Sequence, residues 1–238
     1  MATTIRIGGI DVDVIQKDIK NVHLSVYPPT GSIRISAPSR MGMSTIRAFA
    51  ISKIDWIRKQ QDKLLEQERE TPREFIDRES HYLWGRRYLL EVSEVDQVPS
   101  VALKGKRMHL QVRPQHDEAK RKEIVEGWYR EQMKSDMPPL IAKWEPLIGV
   151  KVEDFYVQRM KTMWGGCNPV KRTIRLNTEL AKKPRECLEY IIVHEMVHLL
   201  EPTHNDRFVV HMDRFMPNWT HRRDLLNQLP VRHEKWRY

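Results

Sequence analysis

The sequence has no run of 18 or more apolar residues, and it contains only two cysteines. The first absence argues against a membrane-spanning helix. The N-terminal stretch MATTIRIGGIDVDV lacks the basic start and apolar core of a secretory signal. Cys167 and Cys187 are too few for a disulfide framework, and they lack the CxxC spacing of a zinc ribbon. We therefore expect no membrane association and a reducing, cytoplasmic location.

Charge is in moderate excess and is widely spread. The 41 Lys and Arg residues outnumber the 32 Asp and Glu residues, which gives a net charge of +9. No long block of one sign occurs, so a solubilising surface and an anionic partner both remain open. The 238 residues, 40% of them hydrophobic, suffice for one large or two small globular domains. No internal repeat and no low-complexity tract is visible.

The first part of the chain, residues 1–117, is predicted to be β-rich with one long helix. Alternating apolar and polar residues in IDVDVI, VHLSVY and SIRISAP predict strands, with a hairpin at PPTG. The long helix should begin at Ser44 and reach about Glu70, with Trp56 near its apolar face and in the core. Short strands around Gly85, in VALKG and in MHLQV are expected to form hairpins.

The second part, residues 118–238, is predicted to be a metal-binding catalytic region of mixed composition. A helix should run from about Asp117 to Trp144, with Pro138 and Pro139 breaking it. Two strands, VEDFYVQRM and TIRLN, flank the segment WGGCNPVKR. Three helical pieces follow at about 184–200, 205–215 and 221–229, and the Asn205 side chain can cap the second of them. The expected fold class is therefore α+β, with a helix that carries metal ligands packed against a small sheet.

The metal ligands are suggested by HEMVHLLEPTH, residues 194–204. Residues four apart lie on one face of a helix, so His194 and His198 can each place a ring nitrogen about 2.0–2.1 Å from one zinc ion. Glu195 lies about a quarter-turn away and can reach a water molecule at the metal, which is the arrangement expected of a general base. Three imidazoles would favour one Zn²⁺ per chain over other divalent ions.

A third ligand should follow the end of this helix. Pro202 stops the helix, and the bend can bring His204 back to the pair. Its spacing, six residues beyond His198, matches HExxHxxGxxH enzymes, although Glu201 stands in place of their glycine. The nearby alternatives are Glu201, Asp206, His211 and Asp213. Three protein ligands leave a position open for water, as in catalytic zinc sites.

Several ordered segments resemble the YgjP-like family of zincin-type metallopeptidase domains, which is related to the SprT-like and WLM groups. The segments are WIRKQQ, LWGRRYLLEV, RMKTMWGGC, IRLNTEL, LEYIIVHEMVHLLEPTHNDRF and MPNW. The resemblance covers nearly the whole chain. It implies a zinc-dependent hydrolase of peptides in which Glu195 is the catalytic base and the ligands are His194, His198 and His204.

The resemblance also places a tryptophan–glycine–small–cysteine motif before the metal-binding helix, matched here by Trp164, Gly165, Gly166 and Cys167. These four residues are candidates for substrate binding, although Met163 replaces a common arginine and Gly166 a serine. The segment can form the sheet edge of a zincin cleft, where an extended peptide would pair. It can equally form a tight hairpin whose tryptophan packs in the core. The residue that stabilises the oxyanion stays open among His211, His221, Tyr190 and Arg214.

Two alternative functions use the basic residues. The resemblance also implies a nucleotide (NTP or UTP) pyrophosphatase, for which charged donors beside the WGGC motif would bind phosphate. These donors are Arg159, Lys161, Lys171, Arg172 and Arg175. The other alternative is nucleic-acid binding through the basic surface, including the C-terminal residues from 220 to 238, in which aromatic residues are interleaved. The oligomeric state is left open.

Overall fold

The computed structural model describes residues 2–27, 31–66, 70, 72–160 and 163–230. The chain divides into two compact units, Met1–Glu70 and Thr71–Leu229, and each is built on its own hydrophobic core. Residue 117, where the sequence predicts a division, is the N-cap of a helix inside the second unit. Lys161 and the chain from 231 onwards, including the aromatic and basic residues expected there, lie outside the described residues. Within the described part, no helix combines the length and apolarity needed to cross a membrane.

The first unit is a four-stranded sheet covered by two helices. Its strands are β1 Ala2–Ile7, β2 Ile10–Lys17, β3 His23–Tyr27 and β4 Ser32–Pro38, in the spatial order β1-β2-β4-β3. The expected hairpin between the second and third of the alternating segments is confirmed, because β3 and β4 pair antiparallel with Tyr27 opposite Ser32. The buried face carries Val12, Val14, Ile33 and Ile35.

The helical part of this unit differs from the prediction. Two helices, α1 Met43–Ser52 and α2 Ile54–Glu66, replace the single long one, and Lys53 separates them. The break allows α1 and α2 to present Ala50 and Ile57, respectively, to the same core. The expectation that Trp56 is a core residue is wrong, because its neighbour Ile57 occupies the buried position and Trp56 is 45% exposed.

The second unit begins with another four-stranded sheet. Its strands are β5 Ser80–Leu83, β6 Arg86–Glu94, β7 Ser100–Lys104 and β8 Arg107–Val112, in the order β5-β6-β8-β7. This repeats the topology of the first sheet: an antiparallel hairpin, a parallel central pair, and a second antiparallel hairpin. The expectation of no internal repeat therefore holds for residue identities and fails for topology, since many sequences satisfy one alternating pattern.

The long helix α3, Glu118–Ile148, packs against this sheet and is continuous, so the expected break at Pro138 and Pro139 is wrong. Each proline removes one backbone donor. The helix nevertheless keeps a stripe of buried residues spaced three or four apart, and burial of this stripe outweighs the lost hydrogen bonds. The stripe consists of Val125, Tyr129, Met133, Met137, Ile141, Trp144 and Ile148. Gly149 ends the helix with φ 78°.

The rest of the second unit is a small three-stranded sheet and three helices. The strands are β9 Asp154–Gln158, β10 Gly165–Asn168 and β11 Thr173–Asn177, in the order β10-β11-β9. A 3-10 helix, Thr178–Lys182, leads into the helices, which are α4 Arg185–Val197, α5 Asp206–Phe215 and α6 Trp219–Gln228. The mixed α+β class is thus confirmed. The WGGC segment contributes β10, which the sequence-based description of two flanking strands left out.

Candidate metal centre

Helix α4 carries the first half of the candidate site. Pro184 occupies its N-cap position, and its apolar residues, including Leu188, Ile192 and Val193, are buried in the core of the second unit. His194 and Glu195 lie in the last turn of α4, and His198 is its C-cap. The helix is therefore a buried, rigid element, and its C-terminal end positions both histidines of HEMVH.

Glu189 anchors the middle of α4 to two other helices. One carboxylate oxygen accepts hydrogen bonds from Lys143 Nζ at 2.7 Å and Trp144 Nε1 at 3.0 Å, both on α3, and the other accepts from Arg222 NH1 on α6 at 2.7 Å. Burial raises the pKa of Glu189, but the hydrogen bonds and the positive charge of Arg222 outweigh it, so the net pKa is lowered. No motif in the sequence indicates this role of Glu189.

The three histidines of HEMVHLLEPTH come together. Nε2 of His204 lies 2.9 Å from Nε2 of His194 and 3.1 Å from Nε2 of His198. Ligand nitrogens about 2.0–2.1 Å from a tetrahedral zinc ion are separated by about 3.3 Å, so this convergence fits one ion. Across the described ranges, these residues form the one group of three or more His, Cys, Asp or Glu side chains with ligand atoms close enough to share a metal.

The competing candidates for a third ligand have other partners. Asp213 accepts a hydrogen bond from Trp219 Nε1 at 2.7 Å, and His211 stacks on Phe215. The carboxylate of Glu201 accepts from Thr203. Asn205, whose capping role the sequence suggested, caps α5 by accepting from the Phe208 amide at 3.1 Å.

Two of the three histidines have lowered pKa values, which favours their neutral imidazole form. Burial, followed by the charges of His198 and His204, lowers the pKa of His194 to about 3. Burial also lowers the pKa of His198, although its bond to Glu201 opposes this. Nδ1 of His198 lies 3.0 Å from the Glu201 carbonyl oxygen. Because a carbonyl oxygen can only accept a hydrogen bond, Nδ1 must carry the proton. That tautomer leaves the Nε2 lone pair free for a metal.

An aromatic ring supports the cluster. Phe208 of α5 is 2% exposed, and its ring centroid lies 4.9, 4.7 and 4.8 Å from those of His194, His198 and His204. Tyr190 adds an edge contact to His194 at 5.9 Å. These contacts restrict the imidazole orientations, and they make α5 part of the site.

Glu195 and the WGGC segment meet beside the histidines. Burial raises the pKa of Glu195 to about 8, and its side chain lies against Gly165 of β10. A Cβ atom at position 165 would stand 2.5 Å from Glu195 Oε1, so any larger residue there would displace the Glu195 side chain. Burial, followed by the charge of Glu195, raises the pKa of the Cys167 thiol to about 11. Gly165 and Cys167 therefore share the face of β10 that turns towards α4.

The other residues of this segment have structural surroundings. Trp164 is half-buried against the core, and its carbonyl accepts the Asn177 amide at 2.9 Å. The Asn177 side chain, which is 5% exposed, donates to the carbonyls of Met160 and Met163 at 2.9 Å each. Asn177 thus ties the approach to β10 in place. No spacing pattern in the sequence indicates this role of Asn177.

The described basic residues of this segment lie on the surface or on the outer face of the small sheet. Arg175 pairs with Tyr156 and Gly166, whereas its neighbours Ile174 and Leu176 are fully buried, so Arg175 lies on the opposite face of the sheet from the core. Arg159, Lys171 and Arg172 are exposed. Of the candidates for the oxyanion stabiliser, Tyr190 contacts His194, while Arg214 lies over Phe215 and His221 is exposed.

An α+β domain that gathers three imidazoles beside a buried carboxylate has the features of metal-dependent hydrolases. Residues 20–229 match the family model described as YgjP-like, metallopeptidase domain. The chain therefore belongs to the YgjP-like metallopeptidase domain family, as the sequence segments indicated. Among solved structures it is similar to the metallopeptidase zymogen abylysin of Pyrococcus abyssi, with 19% identity and a TM-score of 0.36, over 39% of this chain and 96% of that chain. No curated protein matches the chain.

Proposed function

We propose that the protein is a zinc-dependent peptidase with one Zn²⁺ per chain, held by His194, His198 and His204. The convergence of three Nε2 atoms beside the buried Glu195 carries this proposal. A zinc ion held there supplies a Lewis acid that polarises a carbonyl and lowers the pKa of water to about 7. A zincin arrangement of α4 against the small sheet is part of the same proposal.

Glu195 is the general base of this mechanism. Its carboxylate takes a proton from the attacking water and then delivers that proton to the nitrogen of the leaving amine. Gly165 supports this role by leaving room for the Glu195 side chain against β10. Burial disfavours the charged form of Glu195, and a nearby cation would favour it.

The substrate is proposed to be an extended peptide at β10. This strand is at the edge of its sheet, and its inner face adjoins Glu195. An edge strand offers backbone donors and acceptors to a further strand, so a peptide can add to it. Nothing lies within 4 Å of a Cβ built at Gly166, so this part of the strand has open space around it.

The location proposed for this activity is the cytoplasm. Cys167 and Cys187 are both free thiols, which suits a reducing compartment.

The test is hydrolysis of a denatured protein substrate and a mixed peptide library by purified wild type and Glu195→Gln. The variant should keep its zinc and lose about 10²–10⁴-fold in rate, the range of general base catalysis. Pyrophosphate release from nucleoside triphosphates is measured in parallel. Release that depends on Glu195, without peptide cleavage, would replace the peptidase with the nucleotide pyrophosphatase. Retained peptide cleavage by the variant would remove Glu195 as the base.

A further inference from the structure

The turn between His198 and His204 is built without a left-handed residue. All residues of the turn are described, and none of them has a positive φ. A glycine in this turn would permit a left-handed bend. Here Glu201 stands at that place, and its amide donates to the Val197 carbonyl at 3.0 Å, which continues the helical path for one more residue. The chain must then be turned by other means.

Hydrogen bonds of the Glu201 side chain hold the turn that leads to His204. Its Oε1 accepts a hydrogen bond from the Thr203 hydroxyl at 3.1 Å and a longer one from the Thr203 amide at 3.5 Å. The same hydroxyl accepts from Asn205 Nδ2 at 3.1 Å. Since Asn205 caps α5, these bonds run from the end of α4 to the start of α5, and His204 lies between Thr203 and Asn205.

The backbone of Glu201 acts on a second ligand. Its carbonyl oxygen is 3.0 Å from Nδ1 of His198, which sets the tautomer of that ring. One residue therefore contacts His198 through its carbonyl and braces the turn that carries His204 through its carboxylate. The Glu201 side chain is 12% exposed, and the donors of Thr203 stabilise its carboxylate.

Arg207 provides a further, weaker partner. Its Nε lies 3.7 Å from Glu201 Oε2, and its side chain is 80% exposed. An ion pair at that exposure contributes little. The carboxylate therefore acts on the turn chiefly through its hydrogen bonds with Thr203, with a smaller contribution from Asn205.

We infer that Glu201 is a positioning residue for the metal centre: its carboxylate, as a hydrogen-bond acceptor for Thr203, holds His204 in place to bind the metal with His194 and His198. This inference rests on the proposed function, because it presumes that the histidines are ligands. It assigns a role to the residue by which this chain departs from the HExxHxxGxxH spacing pattern.

The experiment compares wild type, Glu201→Ala, Glu201→Gln and Arg207→Gln. Three quantities are measured: the zinc dissociation constant by chelator competition, the visible spectrum of the Co²⁺-substituted protein, and the melting temperature without metal. Glu201→Ala should weaken zinc binding about 10–100-fold, as is typical for residues that orient ligands, and should change the Co²⁺ spectrum. Glu201→Gln keeps an acceptor oxygen and should match wild type, as should Arg207→Gln.

The melting temperature of the metal-free protein should be similar in all four proteins, which separates positioning from general folding. Wild-type zinc affinity and an unchanged Co²⁺ spectrum in Glu201→Ala would overturn the inference while leaving the metal site intact. Equal losses in Glu201→Ala and Glu201→Gln would also overturn it, because the charge would then matter and the accepted hydrogen bonds would not. Failure of the wild type to bind zinc would instead remove the proposed function, and the inference with it.

Discussion

The two four-stranded sheets share one topology and have different tasks. Each begins with a hairpin whose two turn residues both have positive φ: Gly8 and Gly9 in the first sheet, Trp84 and Gly85 in the second. The first turn packs against Ile54 at the start of α2. The second packs against Pro184, the N-cap of α4, and its amides donate to the carbonyls of Ala181 and Lys182 at 2.8 and 3.3 Å.

The difference shows how one structural pattern can be used twice. In the first unit, the hairpin of β1 and β2 packs against α2, which belongs to the same unit. In the second unit the same hairpin supports the start of the helix that carries His194 and Glu195. The candidate chemistry therefore depends on contacts within the second unit, and the changes below test this assignment.

The largest effect is expected at Gly165, where the second unit brings β10 against Glu195. Gly165→Ala should reduce peptidase activity by up to about 100-fold, because a displacement near 1 Å at a catalytic group can cost that much. The measurement is kcat/KM together with zinc content, which should not change. Gly166→Ala is the matched comparison and should lose much less activity than Gly165→Ala, since its Cβ would meet no atom of the chain within 4 Å and could affect only the proposed peptide. Equal loss in both variants would show that the glycines serve the strand and not Glu195.

The two hairpin turns give a matched pair of substitutions. Gly85→Ala should destabilise the protein by about 1–2 kcal/mol because an alanine is strained at positive φ. Its Cβ would also lie 3.0 Å from Pro184 Cγ and 3.3 Å from Pro184 Cα. This overpacking should add about 1–3 kcal/mol. Gly8→Ala should show mainly the first cost, because Cδ1 of Ile54 is a flexible chain end that can move.

Denaturant unfolding and zinc retention after gel filtration measure both variants. Only Gly85→Ala should lose zinc more readily. An equal loss of zinc retention in Gly8→Ala would contradict the claim that only the hairpin of the second sheet supports the helix with His194.

Glu189 should make stability depend on pH. Its pKa is lowered in the folded state, so its contribution is fully present above the unfolded pKa, near 4.5, and is lost as the pH falls through the folded pKa. Glu189→Gln should lower the free energy of unfolding by about 1–3 kcal/mol at pH 7, and the difference from wild type should shrink below pH 4.5. Glu131→Gln, which alters an exposed pair with Lys134, is the control and should have little effect at either pH. A difference that grows on acidification would contradict this account.

The smallest effect is expected for Trp84→Gly. This change gives the turn between β5 and β6 two glycines, as in the turn between β1 and β2. The change removes the strain of a tryptophan at φ 50°, and it also removes a cation–π contact with Arg185 at 5.3 Å. Relief of about 1–2 kcal/mol is offset by the loss of about 0.5–1 kcal/mol from the cation–π contact and of roughly 1 kcal/mol from the packing of the partly buried ring on the core. The melting temperature should therefore stay close to that of wild type. A large decrease would show that the ring itself is needed on α4.

Local patterns predicted much of the candidate site. The spacing of HEMVHLLEPTH indicated two ligands on a helix and a third beyond Pro202, and the three Nε2 atoms do converge. The role of each residue stays a prediction until a metal and a reaction are measured. Strand patterns and the Asn205 cap were recognisable because both depend on near neighbours in the chain.

Features that depend on distant contacts were missed. The sequence predicted a break at Pro138 and Pro139, whereas burial keeps α3 continuous. It left open which way the basic residues beside β10 face, and strand register places Arg175 on the face opposite the core. The fit of Gly165 to Glu195 joins residues 30 positions apart. Such relations are set by packing, which sequence spacing alone does not encode.

The most direct test of the central claim is the zinc content of the purified protein and of His204→Ala, measured by atomic spectrometry after dialysis against a weak chelator. We predict one zinc ion per wild-type chain and a large loss in the variant. A wild-type chain without tightly bound metal, or a variant that keeps a full equivalent, would contradict the assignment of His194, His198 and His204 as the metal ligands.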